Sequence, residues 1–275
     1  MNTGELARAL GSEVTHFTSI SGGDINVAHR LVLGDGRRVF LKSHASPPPG
    51  MFASEAFGLE WLRAGPIRVP NVLAVGDSWL ALEWLDMRGR PDSIAFGRAL
   101  AGLHRLGLPT FGIDELQPSF LATLPQDNTP EPDWPTFYIE HHVRPLCRRA
   151  KLGLDGELDR LRERADVFGP PEKPARLHGD LWWGNVSAIP TAGAAIPVIF
   201  DPAAYGGHRE VDLAMLALFG GLPDALVEAY DEAYPLAEGW RERLELHQLY
   251  PLAAHACLFG GGYGDQVKSA LARYL

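Results

Sequence analysis

The spacing of the apolar residues changes near Asp86, and this change does most to narrow what the chain can fold into. Before it, apolar side chains alternate or run in short β-branched stretches, as strands require. Beyond it they recur every three or four residues, as on one face of a helix. A chain of 275 residues can bury a large core without disulfide or metal staples. Its 46% apolar and 21% charged residues are the balance of an ordinary globular protein. The expected architecture is therefore α+β and two-lobed. A small β-rich N-lobe covers residues 1–86, and a larger, mainly helical C-lobe covers 87–275.

In the N-lobe, residues 27–33 and 37–42 flank Gly34-Asp35-Gly36 and read as a hairpin. Phe40 and Lys42 then share one face of the second strand, with Val39 and Leu41 on the other. Pro47-Pro48-Pro49-Gly50 is a loop, followed by a helix over 51–64 that Gly65-Pro66 ends. Residues 69–75 and 79–84 read as two further strands. In the C-lobe, helical periodicity covers 92–106, 134–151, 156–168, 211–219, 223–234, 240–258 and 266–275. Strand-like pieces interrupt it at 175–178 and 197–200. The Pro-rich stretch 109–132 reads as a long loop, and loops of that length are often functional.

The net charge of −9 disfavours nucleic acid and anionic membrane as partners, since both select basic surfaces. Cys147 and Cys257 are the only cysteines, too few for a disulfide framework or a Cys-rich zinc site. No apolar run is long enough to cross a bilayer, and the start lacks the pattern of a secretory signal. A monomer in the reducing cytoplasm is expected.

The chemistry concentrates in His178-Gly179-Asp180-Leu181-Trp182-Trp183-Gly184-Asn185, followed after an apolar strand by Phe200-Asp201-Pro202. Phosphoryl transfer needs a carboxylate to accept the proton of the attacking hydroxyl, and hard oxygen ligands to hold Mg²⁺ against nucleotide phosphates. Asp180 suits the first role, and Asn185 and Asp201 suit the second. The arrangement resembles the catalytic core of protein-kinase-like enzymes, in the variant with His-Gly-Asp.

That resemblance implies a lysine on a strand paired with a glutamate on the next helix. Lys42 ends the second strand of the hairpin. Phe52, Glu55, Leu59 and Leu62 form one helical stripe, and a carboxylate within it needs a partner. Lys42 is the candidate partner, whereas Glu60 lies off the stripe and faces solvent. The nucleotide loop would be the turn Gly22, Gly23, Asp24, Ile25 and Asn26, where paired glycines let backbone N–H groups approach phosphate. A plain tight turn would look the same. Glu83, Trp84 and Leu85 occupy the place of a hinge carrying backbone groups to adenine, although an ordinary strand end would also read this way.

Longer pieces go beyond the general kinase pattern: SGGDIN, MFASEAFGLEWLRAGPIRVP, LALEWL, LHGDLWWGN, FDPAAYGGHREVDLAMLALFGG and HQLYPLAAHACLFGGGY. Together they resemble the fructosamine kinase (ketosamine-3-kinase) family, within the aminoglycoside-phosphotransferase-like branch of the kinases, from about residue 14 to 275. The resemblance implies ATP- and Mg²⁺-dependent phosphorylation of the sugar 3-hydroxyl of ketosamines, free or on glycated protein, after which the adduct releases its amine. It also implies sugar contacts from Trp182 and His255. A core tryptophan and a satisfied helix histidine are the plainer readings of those two residues.

The role of Trp183 is open. Arg209, Glu210 and Asp212 are expected to support the catalytic loop, with His178 orienting it, and His141-His142 to lie on a helix surface. Within the divergent stretch near the expected acceptor site, Phe111-Gly112, Gln126-Asp127-Asn128 and Asp133-Trp134 keep the family pattern. Two alternatives stand beside the ketosamine reading. One is a phosphotransferase acting on an aminoglycoside or choline-like alcohol. The other is a nucleotide-binding pseudokinase without turnover.

Overall fold

Alternation of side chains along β3 (Arg38–Ser43) organises the N-terminal region. Val39 and Leu41 are fully buried on one face, against Leu6 and Leu10 of α1 (Thr3–Leu10) and Trp79. Phe40 and Lys42 occupy the opposite face and line a cavity. The computed structural model describes residues 3–20, 25–116 and 118–275. Among these, an antiparallel sheet is built from β1 (Val14–Ile20), β2 (Val27–Leu33), β3, β4 (Val72–Gly76) and β5 (Trp79–Glu83), in the order β1-β2-β3-β5-β4. Lys42 pairs with Ala28 on one side and Leu80 on the other, so its backbone is fixed within the sheet.

Helix α2 (Met51–Leu62) packs beside the sheet through the expected stripe, with Phe52, Leu59 and Leu62 all at or below 1% exposure. Burying each such side chain contributes about 1.5–3 kcal/mol. Their cluster continues past residue 86. It joins Leu80 and Leu82 of β5 to Phe96 and Leu100 of α3 (Ser93–His104), to Leu181 and Trp183, and to Leu213 and Leu216.

The C-terminal region begins with α3 and carries a short hairpin of β6 (Ser119–Leu121) and β7 (Leu124–Gln126). A continuous helical run follows, made of α4 (Trp134–Thr136), a π-helical stretch (Phe137–Val143) and α5 (Arg144–Arg149). After α6 (Asp155–Glu163) come two small antiparallel pairs. β8 (Ala175–Leu177) pairs with β11 (Tyr205–Gly207), and β9 (Val186–Ile189) with β10 (Ile196–Ile199). The chain ends in α7 (Glu210–Leu218), α8 (Asp224–Ala233), α9 (Leu244–His247), α10 (Leu249–Phe259) and α11 (Tyr263–Ala272). Among the described residues no helix is long and apolar enough to cross a membrane.

Several elements depart from the sequence reading. The helix expected over 240–258 is divided into α9 and α10. The Pro-rich stretch is not a plain loop, because it holds the β6–β7 hairpin and a bridge between Phe111 and Glu131. β1 carries no alternating pattern because it is an edge strand with its central residues exposed on both faces.

Candidate active site

One ammonium group joins the sheet to the helical region. Lys42 Nζ lies 3.0 and 2.8 Å from the two carboxylate oxygens of Glu55, and 3.1 Å from Asp201 Oδ1. Burial alone would lower the Lys42 ammonium, but the Asp201 and Glu55 carboxylates outweigh it and hold it above its ordinary value. Burial pushes the Glu55 carboxyl up, against the pull of Lys42. Glu60 faces solvent, where it pairs with Arg63.

The segment after β8 is held by a dense set of bonds. Asp212, at the start of α7, accepts the backbone N–H of His178 at 2.8 Å and of Gly179 at 3.0 Å. Gly179 has φ +80°, and a Cβ there would fall 2.0 Å from the Ala203 carbonyl oxygen, so glycine is required. His178 Nε2 donates to the Phe200 carbonyl at 3.0 Å, and its Nδ1 accepts from the Asp180 N–H at 3.3 Å. Burial lowers the His178 imidazole below its ordinary value and favours the neutral ring that this pattern needs. Asn185 Nδ2 donates to Asp180 Oδ2 at 3.0 Å and to the Asp180 carbonyl at 2.9 Å. Burial and the nearby Asp201 carboxylate push the Asp180 carboxyl up to about 7, against Asn185 and Lys42. A carboxylate so tuned can accept a proton near neutral pH.

The donor set fits Mg²⁺. Because Asn185 directs its amide nitrogen at Asp180, its side-chain oxygen is left as the free acceptor. Asp201 adds a carboxylate whose side chain is 36% exposed, so it remains open to a ligand. Hard oxygen donors of this kind, few in number, suit an ion that also takes phosphate oxygens and water.

These groups line one cavity of about 880 Å³. Lys42, Glu55, Asp180, Asn185, Asp201, Trp182 and His255 all border it, as do Ile25, Asn26, Glu83, Trp84 and Leu85. Gly22, Gly23 and Asp24 lie outside the described residues. The Glu83 side chain is engaged by the Arg68 guanidinium and, at 2.6 Å, by the Asn71 N–H. The Glu83 N–H donates to the Asn71 carbonyl at 2.9 Å.

Trp182 is 40% exposed, an uncovered indole at the cavity. His255 Nδ1 donates to the Pro251 carbonyl at 2.7 Å, so the neutral ring presents Nε2 as an acceptor, and burial lowers its pKa. Phe219, Phe259 and Tyr263 surround it at centroid distances of 4.7, 5.4 and 5.1 Å. All three lie in the pieces that carry the family resemblance, but nothing in the sequence placed them around His255. Trp183 is a packing residue, buried under Arg90 and bonded through Nε1 to the Gly221 carbonyl at 2.8 Å.

Two expectations need correction. His141 and His142 do not form a helix surface. His141 bridges Asp127 and Glu131, and His142 is buried with Nε2 3.2 Å from Asn128 Oδ1. Of Arg209, Glu210 and Asp212, only Asp212 bonds the 178–185 loop. Arg209 instead pairs with Glu172, and Glu210 with Arg243 and His247. The sequence reading also missed His104, which links Asp212 at 3.2 Å to the Tyr230 hydroxyl at 2.7 Å.

Comparison with known proteins extends over the whole chain. The family model described as fructosamine kinase matches residues 3–275. The probable ketoamine kinase of Enterococcus faecium is 36% identical over 93% of this chain and 94% of its own length. The chloroplastic protein-ribulosamine 3-kinase of Arabidopsis thaliana is 33% identical over 98% of this chain and 86% of its own. Among solved structures, a Thermobifida fusca protein assigned as a fructosamine-3-kinase superposes with a TM-score of 0.87 at 40% identity, covering 99% of this chain and 97% of its own.

Proposed function

The chain belongs to the fructosamine kinase family, and from that premise we propose that it uses ATP to phosphorylate the sugar 3-hydroxyl of ketosamines. The observation that carries the mechanism is the single cavity in which Asp180 and the Lys42–Glu55 pair meet. Asp180 accepts the proton of the attacking hydroxyl, and its Oδ2 is held in place by Asn185. Glu55 fixes the Lys42 ammonium, which binds phosphate oxygens of the nucleotide.

Asn185 and Asp201 would hold Mg²⁺, which when bound neutralises charge on the phosphates. Of the residues that border the cavity, Ile25 and Asn26 would meet the phosphates, and Glu83, Trp84 and Leu85 the adenine. Trp182 packs on the sugar ring, and His255 Nε2 accepts from a sugar hydroxyl or from the substrate amine. Phosphorylation at the 3-position labilises the adduct and releases the amine, so the overall activity is deglycation.

Action as a monomer belongs to the same reading, and unpaired Cys147 and Cys257 suit a reducing compartment. The test is ADP release with ribulosyl-, erythrulosyl- and fructosyl-amines, free and protein-bound. Transfer to these that disappears in Asp180→Asn is the expected result. Turnover of kanamycin or choline with every ketosamine inert would overturn the reading.

A further inference from the structure

The motif Gln126-Asp127-Asn128 has no part in the chemistry above, yet each of its side chains holds the 109–132 segment in place. Gln126 Oε1 accepts from Ser119 Oγ at 3.0 Å across the β6–β7 hairpin, and Gln126 Nε2 donates to the Tyr250 hydroxyl at 2.5 Å. Ser119, Gln126 and Tyr250 are all buried. Asp127 takes His141, and Asn128 takes His142. Tyr250 lies on α10, the helix whose Pro251, Ala254, His255, Leu258 and Phe259 line the cavity. On its other side the hairpin meets α2: Phe120 packs in the cluster of Met51 and Phe52, and Pro118 lies against Gly50. The hairpin thus reaches from α10 to the helix that carries Glu55.

Its tip enters the cavity. Leu121 pairs with Leu124, which leaves Ala122-Thr123 as a two-residue turn, and Phe120, Leu121 and Ala122 all border the cavity. Ala122 has φ +55°, a conformation that tight hairpin turns normally give to glycine or asparagine. A methyl group kept against this strain, on a wall of the cavity, points to a function for the side chain. The tip also carries no charge. The charged residues bordering the cavity are Lys42, Glu55, Glu83, Asp180 and Asp201, and all but Asp180 are held in ion pairs. Among the described residues, the only carboxylate of the wall outside an ion pair is therefore Asp180, the proposed base, and the hairpin tip adds none for a polycationic acceptor.

We propose that the β6–β7 hairpin selects the acceptor, with Leu121 and Ala122 forming its wall and Gln126 fixing that wall to α10 through Tyr250. This rests on the ketosamine reading above. The hairpin limits the bulk and charge of the acceptor, and Gln126 is a positioning residue that acts through the hairpin tip.

The experiment measures KM for ribulosyl-lysine and for ATP in Ala122→Asn, Ala122→Gly, Gln126→Leu and Tyr250→Phe. Asparagine tolerates φ +55°, so Ala122→Asn keeps its thermal midpoint while adding bulk to the wall. It should raise the ribulosyl-lysine KM roughly tenfold and leave the ATP KM within about twofold. Ala122→Gly should raise relative turnover of bulkier amine adducts. Tyr250→Phe should raise the acceptor KM, Gln126→Leu should raise it at least as much because it also loses the Ser119 bond, and the double variant should be no worse than Gln126→Leu alone. An Ala122→Asn variant with an unchanged acceptor KM, or with both KM values raised alike, overturns the proposal even if Gln126→Leu fails to fold. Absence of ketosamine turnover in the wild-type chain would sink the functional reading first, and the hairpin assignment with it.

Discussion

Lys42 Nζ stands 3.1 Å from Asp201 Oδ1 while Glu55 holds it at 2.8 Å, so one cation ties the sheet to the segment after β10. Both carboxylates compete for the same ammonium, and only Asp201 is substantially open to solvent. On the proposed function, nucleotide phosphates entering the cavity would meet a lysine that Glu55 keeps in place while Asp201 is free to turn to a metal. Replacing Glu55 by Gln should therefore weaken binding of a non-hydrolysable ATP analogue. Loss of one charged hydrogen bond of this kind is worth about 1.5–3 kcal/mol, roughly ten- to a hundredfold in affinity. Calorimetric titration that finds equal affinity in both proteins would rule out this role for Glu55.

Asp180 sets the expected pH dependence. Burial and Asp201 raise its carboxyl to about 7, so the group is protonated, and unable to act as a base, on the acid side of that value. The rate at limiting ATP and limiting acceptor, which reports the free enzyme, should rise with pH through about 7 and then level off. A profile that is flat from about pH 5.5 to about pH 8 would contradict the assignment.

Asp212 holds the loop by accepting two backbone N–H groups, and His104 braces it from behind. Asp212→Ala leaves both donors buried without a partner, at a cost of about 1–3 kcal/mol each. We expect kcat to fall by roughly one to two orders of magnitude, with the ATP KM little changed. Asp212→Asn keeps one acceptor oxygen and should fall between Asp212→Ala and the parent. Normalising the rates to the folded fraction, read by circular dichroism or a thermal melt, separates this outcome from a general loss of folded protein.

Acid stability depends on Glu210. It is fully buried and bonded by Arg243 at 2.6 and 2.9 Å. Burial would raise its carboxyl, but the bonds from His247 and Arg243 outweigh burial and hold it at about 2, against an ordinary value of 4.5. A depressed carboxyl stabilises the fold above its ordinary value, and the contribution is lost as pH falls from 4.5 toward about 2. The magnitude is on the order of 3 kcal/mol. Burial also lowers the His208 ring to about 4, so charging it in acid destabilises the fold in the same direction. Urea melts across this range should show a smaller loss in Glu210→Gln than in the parent; equal slopes would count against the argument.

The gathering of the candidate site residues was the most legible feature of the sequence, because the motif they belong to needs fixed residue types at fixed spacing. His178 to Asn185, Asp201, Lys42 and the Glu55 stripe could be read from single residues and a helical period. Features that depend on distant partners were not legible. His141 and His142 looked like surface because nothing local marks Asp127, Glu131 or Asn128 as their partners. The β6 and β7 strands are three residues each, too short for alternation to register, and a non-glycine residue at the turn hid the hairpin. Glu83 could be placed at the end of a strand, but not its bond to Arg68.

The apolar cluster that crosses residue 86 bears on how the chain unfolds. Leu80 and Leu82 share it with Phe96, Leu100, Leu181 and Trp183, so pulling the sheet from the helices would tear open a common interior instead of freeing a pair of finished surfaces. Neither portion is expected to persist as an autonomous folding unit. Calorimetry should register one cooperative endotherm, and a fragment ending at residue 86 should precipitate or remain unstructured when expressed alone.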